Sequence, residues 1–105
     1  MIDPESALLQ LEDVLAALWH ARRVGDVGRL AHLGCYEVQR WARAARRDAL
    51  TAHARALLTD CPYPSRDEFM FAIDRVIEAL EHAHVDLAAR RRIPADFTPL
   101  RSVAH

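Results

Sequence analysis

The stretch Ser65–Arg92, SRDEFMFAIDRVIEALEHAHVDLAARRR, constrains this chain more than any other. Ser65 followed three residues later by Glu68 is a capping box, in which a hydroxyl and a carboxylate satisfy backbone N–H groups that the first helical turn leaves bare. Pro64 and Phe69 stand where a hydrophobic staple would fix the entry angle. Asp67 and Glu68 fall in the first turn and Arg90, Arg91 and Arg92 in the last, so each set complements the helix dipole. Phe69, Ile73, Val76, Ile77, Leu80, Ala83, His84 and Leu87 recur every three or four residues and form one apolar stripe. Ile93-Pro94 ends the run, because proline disfavours helix at the residue before it. The pattern predicts one helix of roughly 26 residues, about 39 Å long at 1.5 Å per residue. A stripe of that length has to be covered, so the rest of the chain must supply partner helices.

Two such partners are legible. Asp3 is a good N-cap, Pro4 suits the first helical position, and Arg22, Arg23 and Gly25 make a normal ending, which predicts a helix from Pro4 to about Val24. Leu8, Leu11, Leu15, Leu18 and Arg22 alternate three- and four-residue steps, with Trp19 beside them, as a bundle seam does. Gly25-Asp26 is a turn, with Asp26 capping a second helix whose stripe is Val27, Leu30, Leu33, Gly34, Val38, Trp41, Ala44 and Ala45. Past Arg46-Arg47-Asp48 the phase changes, and Leu50, Ala54 and Leu57 lie opposite the earlier stripe. Either the helix kinks near Asp48, or it runs on to about Thr59 and meets a different partner with each half. Asp60-Cys61-Pro62-Tyr63-Pro64 is a stiff connector. Residues 95–105 have no helical period, and Phe97, Leu100 and Val103 are placed to strap across the bundle if that tail docks.

The expected architecture is all-α: an antiparallel up-down bundle of three long helices over residues 1–94, followed by an extended tail, 95–105. Three helices leave Leu50, Leu57, Phe71 and Val85 as surplus apolar surface. A second copy of the chain would cover them, so these four are the expected homodimer interface.

Composition excludes more than it suggests. All 14 basic side chains are arginine, and lysine and asparagine are absent. That removes Schiff-base chemistry, the phosphate-loop lysine and any Asn-assisted triad. With only Gly25, Gly28 and Gly34 there is no glycine-rich phosphate cradle. A net charge of −1 argues against a general nucleic-acid or membrane-surface binder. No apolar run approaches the ~18 residues that a membrane span requires. Cys35 and Cys61 match no metal spacing and read as reduced thiols of a cytoplasmic protein. The charges are segregated. Acids dominate 1–13 and 67–86 and arginines dominate 22–55, which suggests that the middle segment lies between its neighbours. Arg40, Arg43, Arg46 and Arg47 read as a solvated or internally paired face.

Polar residues on apolar stripes are the candidates for chemistry. His84 is in the middle of the last stripe with Glu81 one turn back, Glu37 falls among Leu33, Gly34, Val38 and Trp41, and Glu12 flanks the leucine seam. With a continuous second helix, alignment about the turns puts His84, Glu37 and Glu12 in one layer near Trp41. The bland reading is a buried histidine and glutamate that satisfy each other. The sharper one is a metal site. Glu37 with Glu81-x-x-His84 resembles the ligand pattern of ferritin-like di-iron proteins, which take a Glu from each of two helices and a Glu-x-x-His from each of the other two. That resemblance implies iron or another divalent metal held at Glu37, Glu81 and His84, with a second copy completing the set. This chain departs from it in having a single Glu-x-x-His.

His32 in LAHLG is similar to the phospho-accepting histidine of histidine phosphotransfer domains, but the lysine is missing and the glycine comes too soon. It reads as an exposed helical histidine, as does His82. ALWHARRVGDVGRLAHL resembles the helix–turn–helix opening of small flagellar export chaperones over about forty residues. With no nucleophile, phosphate loop or complete metal set in view, the leading expectation is a non-catalytic interaction module: an adaptor, small chaperone or regulatory subunit without a cofactor. The alternative is a dimeric carboxylate–histidine metal bundle.

Overall fold

A computed structural model describes residues 3–60 and 62–92, and every regular element among them is helical. Cys61 and the 95–105 tail lie outside the described residues. Among the described residues there are four helices where three were expected. Helix α1 is Pro4–Val24. Helix α2 covers 27–44, built from α-helical Val27–His32, a π-helical turn Leu33–Glu37, and α-helical Val38–Ala44. Helix α3 is Asp48–Thr59 and α4 is Arg66–Arg92. No described helix is long and apolar enough to cross a membrane.

The starts are made by the caps expected of them. Asp3 accepts the Ser6 N–H at 2.9 Å and the Ser6 hydroxyl at 3.0 Å. Those two bonds hold the Asp3 carboxyl below its ordinary value. Asp26 accepts the Arg29 N–H at 3.1 Å, and the Ser65 hydroxyl accepts the Glu68 N–H at 3.1 Å. Tyr63 stacks edge-on against Phe69 at 5.4 Å and donates its hydroxyl to the Leu57 carbonyl at 3.1 Å, so the connector is pinned to both flanking helices.

Two ends share one motif. At the end of α1, Gly25 is left-handed (φ 73°), its N–H bonds the Arg22 carbonyl and the Asp26 N–H reaches back to Ala21. This is a Schellman motif with glycine at its αL position. At the end of α2, Arg46 N–H bonds Arg43 and Arg47 N–H bonds Ala42 at 2.7 Å, with Arg46 itself at φ 58°. This second Schellman motif breaks what the sequence left as a kink or a continuous helix, and it does so on an arginine. A left-handed non-glycine residue is strained. Arg46→Gly is therefore expected to raise stability by about 0.5–1 kcal/mol. Chemical denaturation reads this directly, and a loss of stability would show that the arginine side chain offsets the strain.

The break decides where the out-of-phase leucines go. The chain turns back at Arg46, and α3 lays Leu50, Ala54 and Leu57 into the core, at 5 %, 0 % and 2 % exposure. Leu50 and Leu57 therefore do not remain on the surface for a second copy, as expected of a continuous helix. Leu57 reaches Gly34, where an added Cβ would lie 2.7 Å from Leu57 Cδ2 and 3.1 Å from Ile73 Cδ1. Glycine at 34 is what lets α2, α3 and α4 approach so closely. Above this contact the Trp41 indole is buried and donates to the Ala7 carbonyl at 2.9 Å, joining the end of α2 to the start of α1. No polar or charged residue is fully buried among the described residues. Arg47 ties the α2–α3 link to α4 through Asp86 at 2.7 Å. That hydrogen bond, with the charge of Arg90, holds the Asp86 carboxyl below its ordinary value.

Candidate functional site

Helices α1 and α4 are direct neighbours, so the basic segment does not lie between the two acidic ones. Three polar contacts bridge their outer seam. His84 Nε2 is 3.0 Å from Glu12 Oε2, Trp19 Nε1 donates to Glu81 Oε2 at 3.0 Å, and Arg22 holds both oxygens of Asp74 at 2.9 and 3.2 Å. As the α1 numbers rise through 12, 19 and 22, the α4 numbers fall through 84, 81 and 74. The two helices are therefore antiparallel, and steps of seven and three residues keep each set on one side of its helix. The Asp74 hydrogen bonds raise the Arg22 guanidinium above its ordinary value. Half-exposed, these contacts set register more than stability: exposed ion pairs contribute only about 0–1 kcal/mol each.

The seam opens into two grooves. The upper, about 520 Å³, is lined by Glu12, Leu15, Trp19, Glu81, His84 and Val85. The lower continues past Trp19 along Arg22, Arg23, Phe71, Asp74, Arg75 and Glu78. Phe71 and Val85 are each 66 % exposed and Trp19 43 %. Phe71 and Val85 thus stand where the sequence put them, on the outward side of α4.

This chain matches no family model, no curated protein and no solved structure. Its site has to be read from its own side chains.

The expected layer of Glu37, His84 and Glu12 divides. Glu12 meets His84, but Glu37 lies in a different groove, between α1 and α2, with Gln10, Asp13, Arg40 and Trp41. Glu37 binds Arg40 at 2.6 Å and approaches His32 Nε2 at 3.8 Å, so it is not the partner of His84. The π-helical turn accounts for this. Its wider winding brings residue 37 round to the side of residue 32, whereas on an α-helix five residues at 100° each would set them about 140° apart. His32, exposed as expected, also stacks on Tyr36 at 5.6 Å. Glu81 and His84 share the upper groove, but Glu81 is engaged by an indole. Among the described residues no three His, Cys, Asp or Glu side chains converge as metal ligands. A metal set of Glu37, Glu81 and His84 is therefore not assembled within one chain. His82 is exposed, Cys35 is buried, and Arg43 and Arg46 are exposed with no ion pair among the described residues.

Trp19–Glu81 and Arg22–Asp74 were not foreseen. Their signal is present in the sequence as mirrored spacing, seven then three residues on α1 and three then seven on α4. It becomes readable only when α1 and α4 are known to be adjacent.

Proposed function

We propose that this protein is a non-catalytic helical interaction module, an adaptor, small chaperone or regulatory subunit working in the cytoplasm through its α1–α4 face. The observation that carries the reading is the group Trp19, Phe71 and Val85, exposed along one continuous pair of grooves. Single exposed apolar residues are ordinary, whereas large ones gathered along a groove with a polar rim mark contact surfaces. Hydrogen bonds between polar groups of the seam hold that surface in shape.

A homodimer is the competing use of the face. Leu50 and Leu57 no longer contribute to it, which leaves Phe71 and Val85. Glu78 lies midway between those two, seven residues from each, on the same side of α4. A two-fold pairing of α4 that sets Phe71 against Val85 of the copy, or each against itself, brings Glu78 against its own copy, and opposed like charges disfavour association. A different protein is the better occupant.

Photo-crosslinkers placed in cells at Phe71, at Val85 and at Arg43 on α2 test this reading. The expected result is a shared heavier adduct at the first two positions and none at Arg43. Equal labelling at all three, or adducts only at twice the chain mass, would count against it. Stoichiometric iron, manganese or zinc in protein purified without chelator, lost on His84→Ala, would move the assignment to the metal-binding bundle.

A further inference from the structure

We infer that the α1–α4 face receives a cationic amphipathic helix of a partner protein. Its apolar side lies on Trp19, Phe71 and Val85, and its basic side chains meet Glu12, Glu78 and Glu81. The inference rests on the interaction reading above and adds the chemistry of the partner.

The argument begins with the charge that α4 leaves unmatched. Between residues 67 and 86 this helix carries six acids and one arginine, Arg75. Two of the acids are held by arginines of the chain, Asp74 by Arg22 and Asp86 by Arg47 and Arg90. Glu78 makes no ion pair among the described residues, and Glu81 accepts from a neutral indole. Glu12 uses a single oxygen on His84. These three carboxylates run beside the exposed apolar residues and keep acceptor capacity facing solvent. Arg23 and Arg75 line the Phe71 end of the lower groove, so the surplus acid is concentrated toward Trp19 and Val85. The cationic turns of the partner therefore belong at the Val85 end, and the Phe71 end takes a neutral or acidic turn.

Shape points to a helix. Phe71 and Val85 are 14 residues apart, roughly 21 Å along α4, which four turns of a helix span. The furrow between two antiparallel helices is where a third helix seats in bundles and helix-in-groove complexes. Nucleic acid and anionic lipid are repelled by the same carboxylates, and a second copy brings Glu78 against itself. The acidic rim that disfavours these occupants is what selects a basic one.

The test uses the full chain and three tryptophan-free peptides of about 15 residues: a Leu/Lys helix-patterned peptide, the same composition scrambled, and a Leu/Glu peptide with the helix pattern. Trp19 emission reports docking, because Trp41 is buried, and calorimetry gives the affinity. The Leu/Lys helix is expected to blue-shift Trp19 and to bind at least ~10-fold tighter than either control. Glu78→Arg and Val85→Ser should each weaken it about tenfold, with binding falling as salt rises, while Arg43→Glu on α2 leaves it unchanged. Equal binding of the scrambled peptide, or calorimetric binding that leaves Trp19 unmoved, would overturn the inference. Tighter binding of the Leu/Glu helix, or dimers that exclude all three peptides, would also overturn it while leaving the interaction reading intact. No peptide binding together with stoichiometric metal would remove both.

Discussion

Replacing Trp41 with alanine is expected to lower the unfolding free energy by about 3–5 kcal/mol. The indole is 3 % exposed, and its Nε1–H reaches the Ala7 carbonyl at 2.9 Å across the α1–α2 junction. Truncation leaves a cavity the surrounding helices can only partly fill, and it also removes a buried hydrogen bond to the Ala7 carbonyl, which keeps its own helical partner. The two effects can be separated. Trp41→Phe keeps most of the apolar volume and removes the donor while the Ala7 carbonyl retains its bond within α1, so it should cost about 0.5–1.5 kcal/mol, the net worth of one hydrogen bond. Urea unfolding of the three proteins gives the values, provided the slopes agree so that midpoints can be compared. A Trp41→Ala loss below about 1 kcal/mol would mean that this junction is not part of the cooperative core.

Much of the fold could be read where a local signal has one structural meaning. Asp3-Pro4, Gly25-Asp26 and Ser65–Glu68 each name a terminus because few other backbones satisfy the same groups, and all three termini occur there. The stretch capped by Ser65 predicted one helix of roughly 26 residues, and the helix runs Arg66–Arg92, 27 residues. The missed features lacked such signals. The second Schellman motif has arginine at the position where glycine would announce it, so only the phase change of Leu50, Ala54 and Leu57 betrayed the break. The π-helical turn has no compositional mark, since the stripe through Leu33, Gly34 and Val38 fits a regular α-helix nearly as well.

Those two omissions explain the errors at the site. Counting along a continuous, regular second helix set Glu37 level with His84 and sent Leu50 and Leu57 outward. The π turn delivers Glu37 to His32 and Arg40, and the break folds the two leucines inward. Glu12 was expected near His84 only by counting along a continuous second helix, and it meets His84 for a different reason: α1 and α4 pack directly against each other in antiparallel register. Phe71 and Val85 are exposed as expected because α4 is regular along its whole length.

A double-mutant cycle at Gly34 and Leu57 tests the packing that places α3. Leu57→Ala removes a side chain that is 2 % exposed and should cost about 2–5 kcal/mol. Gly34→Ala adds a methyl group only 2.7 Å from Leu57 Cδ2 and 3.1 Å from Ile73 Cδ1. Because Gly34 has ordinary right-handed helical surroundings, the better helix propensity of alanine offsets part of this, by about 1 kcal/mol. The overlap on two sides should still dominate, for a net loss of about 1–2 kcal/mol. In the double mutant the new methyl group enters the space the leucine vacates, so the overlap and the cavity shrink together. The combined loss should fall short of the sum by about 1 kcal/mol or more, a coupling expected only of residues in contact. Ile73 remains close in every variant, which limits the recovery. Additivity within about 0.3 kcal/mol would place Leu57 away from Gly34. A Leu57→Ala protein as stable as the parent would return that residue to the surface, as a helix continuous through Asp48 requires.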